Sequence, residues 1–481
     1  MNINIDALPL SYRLNEETEV REGEDGVVVV SPYYQVTVSR LSPHLRRIFM
    51  RLAQTACSVR WINEAILETH EENKLTTFYH YLSCLLRHRM AIICAEWADG
   101  KETLATLFPI SPYFRHVWVT IQMDQRYRIS RFAYVRREDD GYNYLESPLS
   151  HARIRLEHAL AANTVYQLGN AVTPLDLTRT LPESERESVT ALLALLVMGN
   201  FASLTTPDSQ PILEKDEVSM HWDFHDLLFH SRSRMGRHDN EVGGTYRFLS
   251  RIPPQPAIKQ AGRSSVIPLF RPDMDRLCLA DPPLAAVMEK RTSIREYGEH
   301  PITAAQLGEF LYRCARVKGV YSCGETGEFT RRPYPGAGAS YELELYLTIE
   351  QCAGLAPGFY WYDPLNHALS LIREANQNTE QLLFDANQSM GGSERPQVLI
   401  TLAARFQRVS WKYQSLAYSL ILKDVGVMYA MMYLVATAMN LAPCALGAGD
   451  SDLFLKVSGT DYLQETSVGE FMLGSRPAQI E

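Results

Sequence analysis

Between Tyr413 and Leu441 the chain is apolar apart from a few small or amide side chains, and its only charges there are Lys423 and Asp424. A stretch of this kind is either a membrane span or a helix sunk in protein. Its uninterrupted apolar part falls short of the ~18 residues that a span needs, so the segment predicts a buried core or interface helix. Such a helix demands a large interior around it. At 481 residues the chain has room for one, with about three domains expected at this length.

The balance of residue types agrees with a packed fold, since 46% are hydrophobic and 21% charged. Lys plus Arg number 47 against 56 Asp plus Glu, a formal charge of −9. That sign argues against a nucleic-acid or anionic-membrane binder. The eight cysteines are scattered without a C-x-x-C pair, so neither a disulfide framework nor a thiolate zinc site is expected. MNINIDALPL has no basic n-region and no long apolar stretch. The expectation is a soluble, cytoplasmic protein.

The first hundred residues predict strands around Gly26–Val30 and Tyr34–Val38 and a helix opening at Ser42-Pro43, a cap followed by an N1 proline. Helices over Val59–Thr69 and Lys74–Arg87 follow, then a strand over Met90–Glu96. This is the layout of a winged helix. A related pattern recurs about 105 to 110 residues later, the Leu195-Leu196 pair falling where Leu85-Leu86 falls in the first copy. In it, strands near Arg131–Arg136 and Tyr142–Glu146 lead to a helix opening at Ser147-Pro148, a short helix at Pro174, and a third helix ending in LLALLVMG before the strand FASLT. Winged helices that read DNA carry a basic stripe on the third helix. Residues 1–200 hold 21 basic against 24 acidic side chains, and SVTALLALLVMG has no cation. An apolar third helix beside an exposed strand edge suits peptide capture by strand addition instead.

Residues from about Thr205 to Ala280 read as a connector. His221, His225 and His230 are spaced H-x3-H-x4-H, and one helix cannot turn all three to a single ion, so no metal site is expected. A helix packing Trp222, Leu228 and Phe229 is the reading. From about Ala285 helices and strands alternate. In RRPYPGAGASYELELYLTI the glycines precede a strand rather than a helix, which excludes a dinucleotide-binding fingerprint but still lets main-chain amides approach a flat ring. Arg291, Ser293 and Arg295 place two guanidinium groups and a hydroxyl within five residues, the chemistry of a terminal-phosphate clamp. Gly474-Ser475-Arg476 repeats that chemistry near the end of the sequence.

The successive blocks RTSIREYGEHPITAAQLGEFL, RRPYPGAGASYELELYLTI, GLAPGFYWYDPLNHALSLI, the long apolar segment from Trp411 to Asp450, and VGEFMLGSRP resemble those of flavin-dependent azoline oxidases of the nitroreductase-like superfamily. The front half is most similar to the peptide-clamp domains of cyanobactin oxidases. The resemblance implies an α+β protein: winged-helix-like clamps over 1–115 and 116–210, a connector over 211–284, and a nitroreductase-like FMN domain over 285–481. It implies FMN held by Arg291, Ser293, Arg295 and Arg476 at the phosphate and ribityl chain. Pro335, Gly336 and Gly338 would line the ring, and Gly447 and Gly449 its far edge. Relatives commonly read Pro-Ser-x-Gly where this chain has Pro335-Gly336-Ala337-Gly338, so a hydroxyl is missing there.

Lys412 and Tyr413 match the family's catalytic dyad. Oxidising an azoline to an azole removes a hydride to the flavin and a proton to a base. Lys and Tyr, with ordinary pKa values of ~10.4 and ~10, are poor bases in neutral water and need tuning by burial or by a neighbouring cation. Either Tyr413 or Lys412 takes the proton while its neighbour tunes it or orients the ring. The implied activity is oxidation of thiazolines or oxazolines in a ribosomally made peptide, with O2 as acceptor, by a homodimer that works beside other enzymes of the pathway. An NAD(P)H-dependent nitro- or quinone reductase and a non-catalytic peptide scaffold are the alternatives.

Overall fold

The computed structural model describes residues 2–68, 73–206, 208, 210–260, 266–392 and 395–478. It comprises two compact units, Met1–Asn240 and Glu241–Glu481.

The first unit is organised by one antiparallel seven-stranded sheet in the order Tyr134–Arg137, Asn143–Glu146, Ala152–Leu156, Thr103–Pro109, Ala91–Glu96, Leu10–Leu14, Cys57–Ser58. Strands on both sides of the expected 115/116 boundary therefore share hydrogen bonds. Thr103–Pro109 pairs directly with Ala152–Leu156, and a single apolar cluster runs from Ile5 to Ala202. Pairing removes the exposed edge that two separate small sheets would each present. The connector divides as well, residues 211–240 falling in the first unit and 241–284 in the second.

Within that shared core the two copies remain visible. Leu10–Leu14, lying between Cys57–Ser58 and Ala91–Glu96, corresponds to Tyr127–Ile129, which bridges Val172 and pairs with Ala202–Leu204. Ser58 and Thr173 each cap the second helix of their copy through a side-chain oxygen. Arg89 and Asn200, which follow the third helices, both adopt the left-handed conformation.

Three expectations are corrected here. Ser147-Pro148 starts no helix: the Ser147 hydroxyl accepts from Leu149 N in a turn that leads into Ala152–Leu156, and the helix begins at Ala159 behind the His158 cap. The third helix of the second copy, Glu183–Met198, is buried at every residue from Ser188 to Leu196, so this stretch is core rather than a face for peptide. On the helix Phe224–Arg232 the Trp222 ring packs on His230, while Phe229 stays 37% exposed. Thr69, the last residue of a predicted helix, lies outside the described residues.

The second unit also has an antiparallel seven-stranded sheet, ordered Val266–Pro268, Ala368–Glu374, Gly358–Asp363, Leu343–Ile349, Val398–Arg405, Glu465–Ser475, Leu441–Leu446. Its central strands are apolar on both sides because helices cover both faces. Ile400, Leu402 and Leu473 face the cluster containing the helices Ala304–Ala315 and Ala417–Ala438. Leu399, Ala403 and Met472 face Gln377–Met390 and Ser451–Ser458 on the other side. The period of two along each strand sorts these residues to opposite layers. The helix Ala304–Ala315 opens with a Thr303–Gln306 capping box and buries Leu307, Phe310 and Leu311.

The apolar segment of the sequence forms the 22-residue helix Ala417–Ala438. By length and composition it could cross a membrane. In this fold Ile421, Val425, Met428 and Met432 pack against the sheet. Leu422, Gly426 and Ala430 lie on its outer side, and a Cβ on Gly426 would meet nothing.

Candidate functional site

The long helix carries contacts to two clusters of candidate residues. Near its C-terminal end, Tyr433 organises the first. The extended segment after the helix Leu284–Lys290 runs along the edge strand Leu441–Leu446, with Ile294 N donating to Pro443 O at 2.9 Å. Ser293 Oγ meets the Tyr433 hydroxyl at 2.8 Å, and the same hydroxyl accepts from Ala445 N at 2.8 Å. The Arg291 guanidinium lies 5.3 Å from the Tyr433 ring centroid. Arg295 adjoins Cys444, opposing the burial that raises the pKa of that thiol. Among the described residues neither arginine is ion-paired, so both guanidinium groups are available to an anion. Arg476 is placed elsewhere. It reaches Asn440 Oδ1 at 3.5 Å, beyond the other end of Leu441–Leu446 and roughly 15 Å of strand from Ala445.

The second cluster lies nearer the helix start. Gly338 has φ +54°, and a Cβ there would fall 2.2 Å from Tyr413 Oη and 2.6 Å from Lys412 Nζ. The dyad thus converges on one spot that only a glycine leaves open. Lys412 Nζ donates to Gly338 O at 3.2 Å and is surrounded by the rings of Tyr413, Phe329 and Tyr246 at 5.3, 5.5 and 5.7 Å. Such rings stabilise an ammonium while taking water from it. Arg408 secures the adjoining backbone, donating to Ser340 O at 2.9 Å and Gln255 O at 2.6 Å. On the other side of the loop Ala337 N donates to Asp424 Oδ2 at 2.8 Å. A few residues beyond, Glu342 is fully buried, its carboxyl hydrogen-bonded to that of Asp424. Burial, then the Asp424 carboxyl, pushes the Glu342 pKa up to about 8, and burial raises Asp424 too.

Gly447 and Gly449 fall into a third place. Gly447 faces open space, whereas a Cβ on Gly449 would overlap the Glu470 carboxylate. Gly449 and Glu470 line a cavity of about 360 Å³ with Leu382, Asp385, Thr401 and Leu446. Burial moves Glu470 up to about 7, against the pull of the Ser467 hydroxyl. Thus the structure joins Arg291, Ser293 and Arg295, and separately joins Pro335–Gly338 with Lys412 and Tyr413. It brings Gly447, Gly449 and Arg476 to neither group through a direct contact.

Tyr433, Asp424, Glu342 and Arg408 escaped the sequence reading. Asp424 did leave a signal, a carboxylate inside an apolar helix, which is costly unless it is partnered.

The raised Glu342 pKa has a measurable consequence. The unfolded chain ionises this carboxyl near the ordinary value of 4.5, while the fold keeps it protonated up to about 8. Over that window the folded state holds the extra proton, so stability falls as pH rises. Glu342→Gln is expected to flatten the fall. Thermal melts at about pH 5 and about pH 8 check this, and parallel losses in wild type and variant would contradict it.

The chain belongs to the nitroreductase family and is an oxidoreductase of that family: residues 288–475 match the family model, and the second unit has its α+β fold. Residues 127–239, in the first unit, match the model of the cyanobactin oxidase ThcOx. The nitroreductase-family protein MJ1384 of Methanocaldococcus jannaschii is 30% identical over 177 residues, which are 37% of this chain and 82% of that one. The microcin B17-processing protein McbC of Escherichia coli is 34% identical over 118 residues, 23% of this chain and 42% of McbC, so the match spans less than half of that relative. Among solved structures, the E. coli microcin synthetase McbBCD complex with truncated pro-MccB17 aligns with 54% of this chain and 96% of that one, at 20% identity and a TM-score of 0.33.

Proposed function

We infer that this protein is an FMN-dependent azoline oxidase, which dehydrogenates thiazolines, and oxazolines where present, to azoles in a ribosomally made precursor peptide. The observation that carries the reading is the convergence of Lys412 and Tyr413 on the left-handed Gly338. A proton donor and acceptor pair meets there, against a loop that main-chain atoms rather than side chains line. The matches to ThcOx and McbC support a peptide substrate. In the first unit the strand Gln35–Ser39 pairs with Gly26–Val30 and lies at the edge of its three-stranded sheet, which suits capture of an extended peptide by strand addition.

The donor set fits a flavin mononucleotide. Arg291, Arg295 and the Ser293 hydroxyl would hold the phosphate, and the Pro335–Gly338 backbone would approach the ring. Gly447, Gly449 and Arg476, which directly contact neither cluster, are assigned to the same cofactor on the resemblance alone. The flavin, when bound, supplies the two-electron acceptor, with O2 restoring its oxidised state. The protein's own part is to orient the azoline over Gly338, exclude water with Tyr246 and Phe329, and take up the ring proton at Tyr413 Oη or Lys412 Nζ. The outer stripe Leu422–Gly426–Ala430 of the long helix permits close approach of a second copy, which supports a homodimer. We place this homodimer in the cytoplasm beside the other enzymes that modify the same peptide.

Mass spectrometry of a thiazoline-bearing peptide incubated with the protein tests the function. A loss of two hydrogens per ring is expected. An unchanged mass, with flavin bound and the peptide correctly cyclised, overturns the reading, and rapid flavin bleaching by NADPH would favour a reductase. Arg291→Ala is expected to weaken FMN binding by roughly 10- to 100-fold through loss of charge-assisted bonds, read by titration of flavin fluorescence.

A further inference from the structure

Two successive residues of the Pro335–Gly338 loop are held from opposite sides. Ala337 N–H is held by the Asp424 carboxylate, and Gly338 C=O by the Lys412 ammonium. The proton chemistry assigned above uses Lys412 and Tyr413 and leaves the carboxyl side without a role. That side is built at some cost, because Asp424 and Glu342 are both buried acids placed closely enough to titrate together. Two such carboxyls do not both ionise in a dry setting, so the pair retains one proton. The negative charge belongs on Asp424, which accepts from the Ala337 N–H, and the proton on Glu342, whose carboxyl is hydrogen-bonded to that of Asp424.

Two arginines and two tyrosines also face the carboxyl pair. Arg332 lies on the strand side with its Nη2 buried and unpartnered, and Arg408 comes from the helix Gln407–Ser410. Tyr334 and Tyr341 close the loop side, the Tyr341 hydroxyl donating to Tyr334 O at 3.0 Å. None of these touches Ala337 N. Among the described residues Asp424 alone accepts from that amide.

We propose that Asp424, backed by Glu342, is a positioning residue for the dyad: it anchors the loop so that the Gly338 carbonyl holds Lys412 at the reacting position. A second negative charge on Glu342 would push against Asp424 and release the amide. The activity arm of this inference rests on the azoline-oxidase reading, whereas its chemical arm does not.

The test uses the full chain carrying Asp424→Ala, Asp424→Asn or Glu342→Gln, with two readouts. The first is the rate at which an amine-acylating reagent modifies Lys412, followed by peptide mapping with exposed Lys456 as internal reference. The second is kcat and KM on a thiazoline peptide across pH. Asp424→Ala is expected to raise Lys412 labelling severalfold relative to Lys456. It should also lower kcat roughly 10- to 100-fold with KM little changed, the scale of a misplaced catalytic group. Asp424→Asn, whose amide oxygen still accepts from Ala337 N, should restore most of both. Wild type should lose activity as pH rises through about 8, and Glu342→Gln should keep it. Wild-type labelling and kcat in Asp424→Ala would overturn the proposal. If that variant does not fold, an alkaline loss in Glu342→Gln identical to wild type would overturn it as well. A wild-type protein that leaves the peptide mass unchanged defeats the azoline reading instead, and the labelling arm still judges the anchor.

Discussion

Lys412→Ala and Tyr413→Phe are each expected to abolish azoline oxidation while the protein stays folded and yellow. Both side chains are half-buried at the surface of the second core, so removing either deletes no large apolar contact. Their polar ends meet at Gly338, and it is there that the effect should fall. A positioned acid or base contributes roughly 10²- to 10⁴-fold to rate, and loss of either partner should cost an amount in that range. Because the two groups act on one proton, the double variant should lose little more than the worse single one. Single-turnover flavin reduction by a thiazoline peptide measures this without interference from reoxidation. Wild-type rates in both variants would remove the dyad from the mechanism.

Part of the candidate site's geometry is legible in the sequence, and the reason differs residue by residue. The Arg291–Arg295 cluster and the Lys412-Tyr413 pair are short local patterns, and short patterns survive in sequence. The capping box at Thr303 and the strand near Met90 were likewise readable, because caps and apolar runs are set by neighbours within a few positions. What sequence could not supply was pairing at long range. Asp424 and Ala337 are 87 positions apart, and nothing local to either announces the bond. The Ser147-Pro148 expectation failed in the opposite direction. The local cap chemistry was sound, but Ser150 Oγ donates to Gly199 O and ties the segment down as a turn. The expected boundary at 115/116 failed for the same cause, since a sheet spanning two copies leaves no mark in the composition of either. In the third helix of the second copy the stretch from Ser188 onward lacks cations because it lies in the core, while Glu183, Glu185, Arg186 and Glu187 confine the helix's charges to its first turns.

A pair of glycine substitutions separates a glycine required by the dyad from one that merely allows close approach. Gly338→Ala is expected to reduce oxidation at least as far as the loss of Lys412 or Tyr413. Its left-handed backbone alone costs an L-residue about 1–2 kcal/mol. The larger effect is steric, because the new methyl would occupy a point 2.2 Å from Tyr413 Oη and 2.6 Å from Lys412 Nζ, where neither atom can stay. The lysine has a flexible stem and can swing away, so the fold should survive and the melting temperature should change only modestly. The Gly338 carbonyl would then lose its ammonium partner, and Lys412 should become more reactive towards an amine-acylating reagent. Gly447→Ala is the contrast, since its methyl would meet nothing within 4 Å. It should melt as wild type does, and any change in flavin affinity would report on the amide edge assigned to it. Thermal melts, flavin titration and peptide mass shift on the two variants together make the comparison. Undiminished oxidation by Gly338→Ala would mean that the convergence on this residue is not where the chemistry takes place.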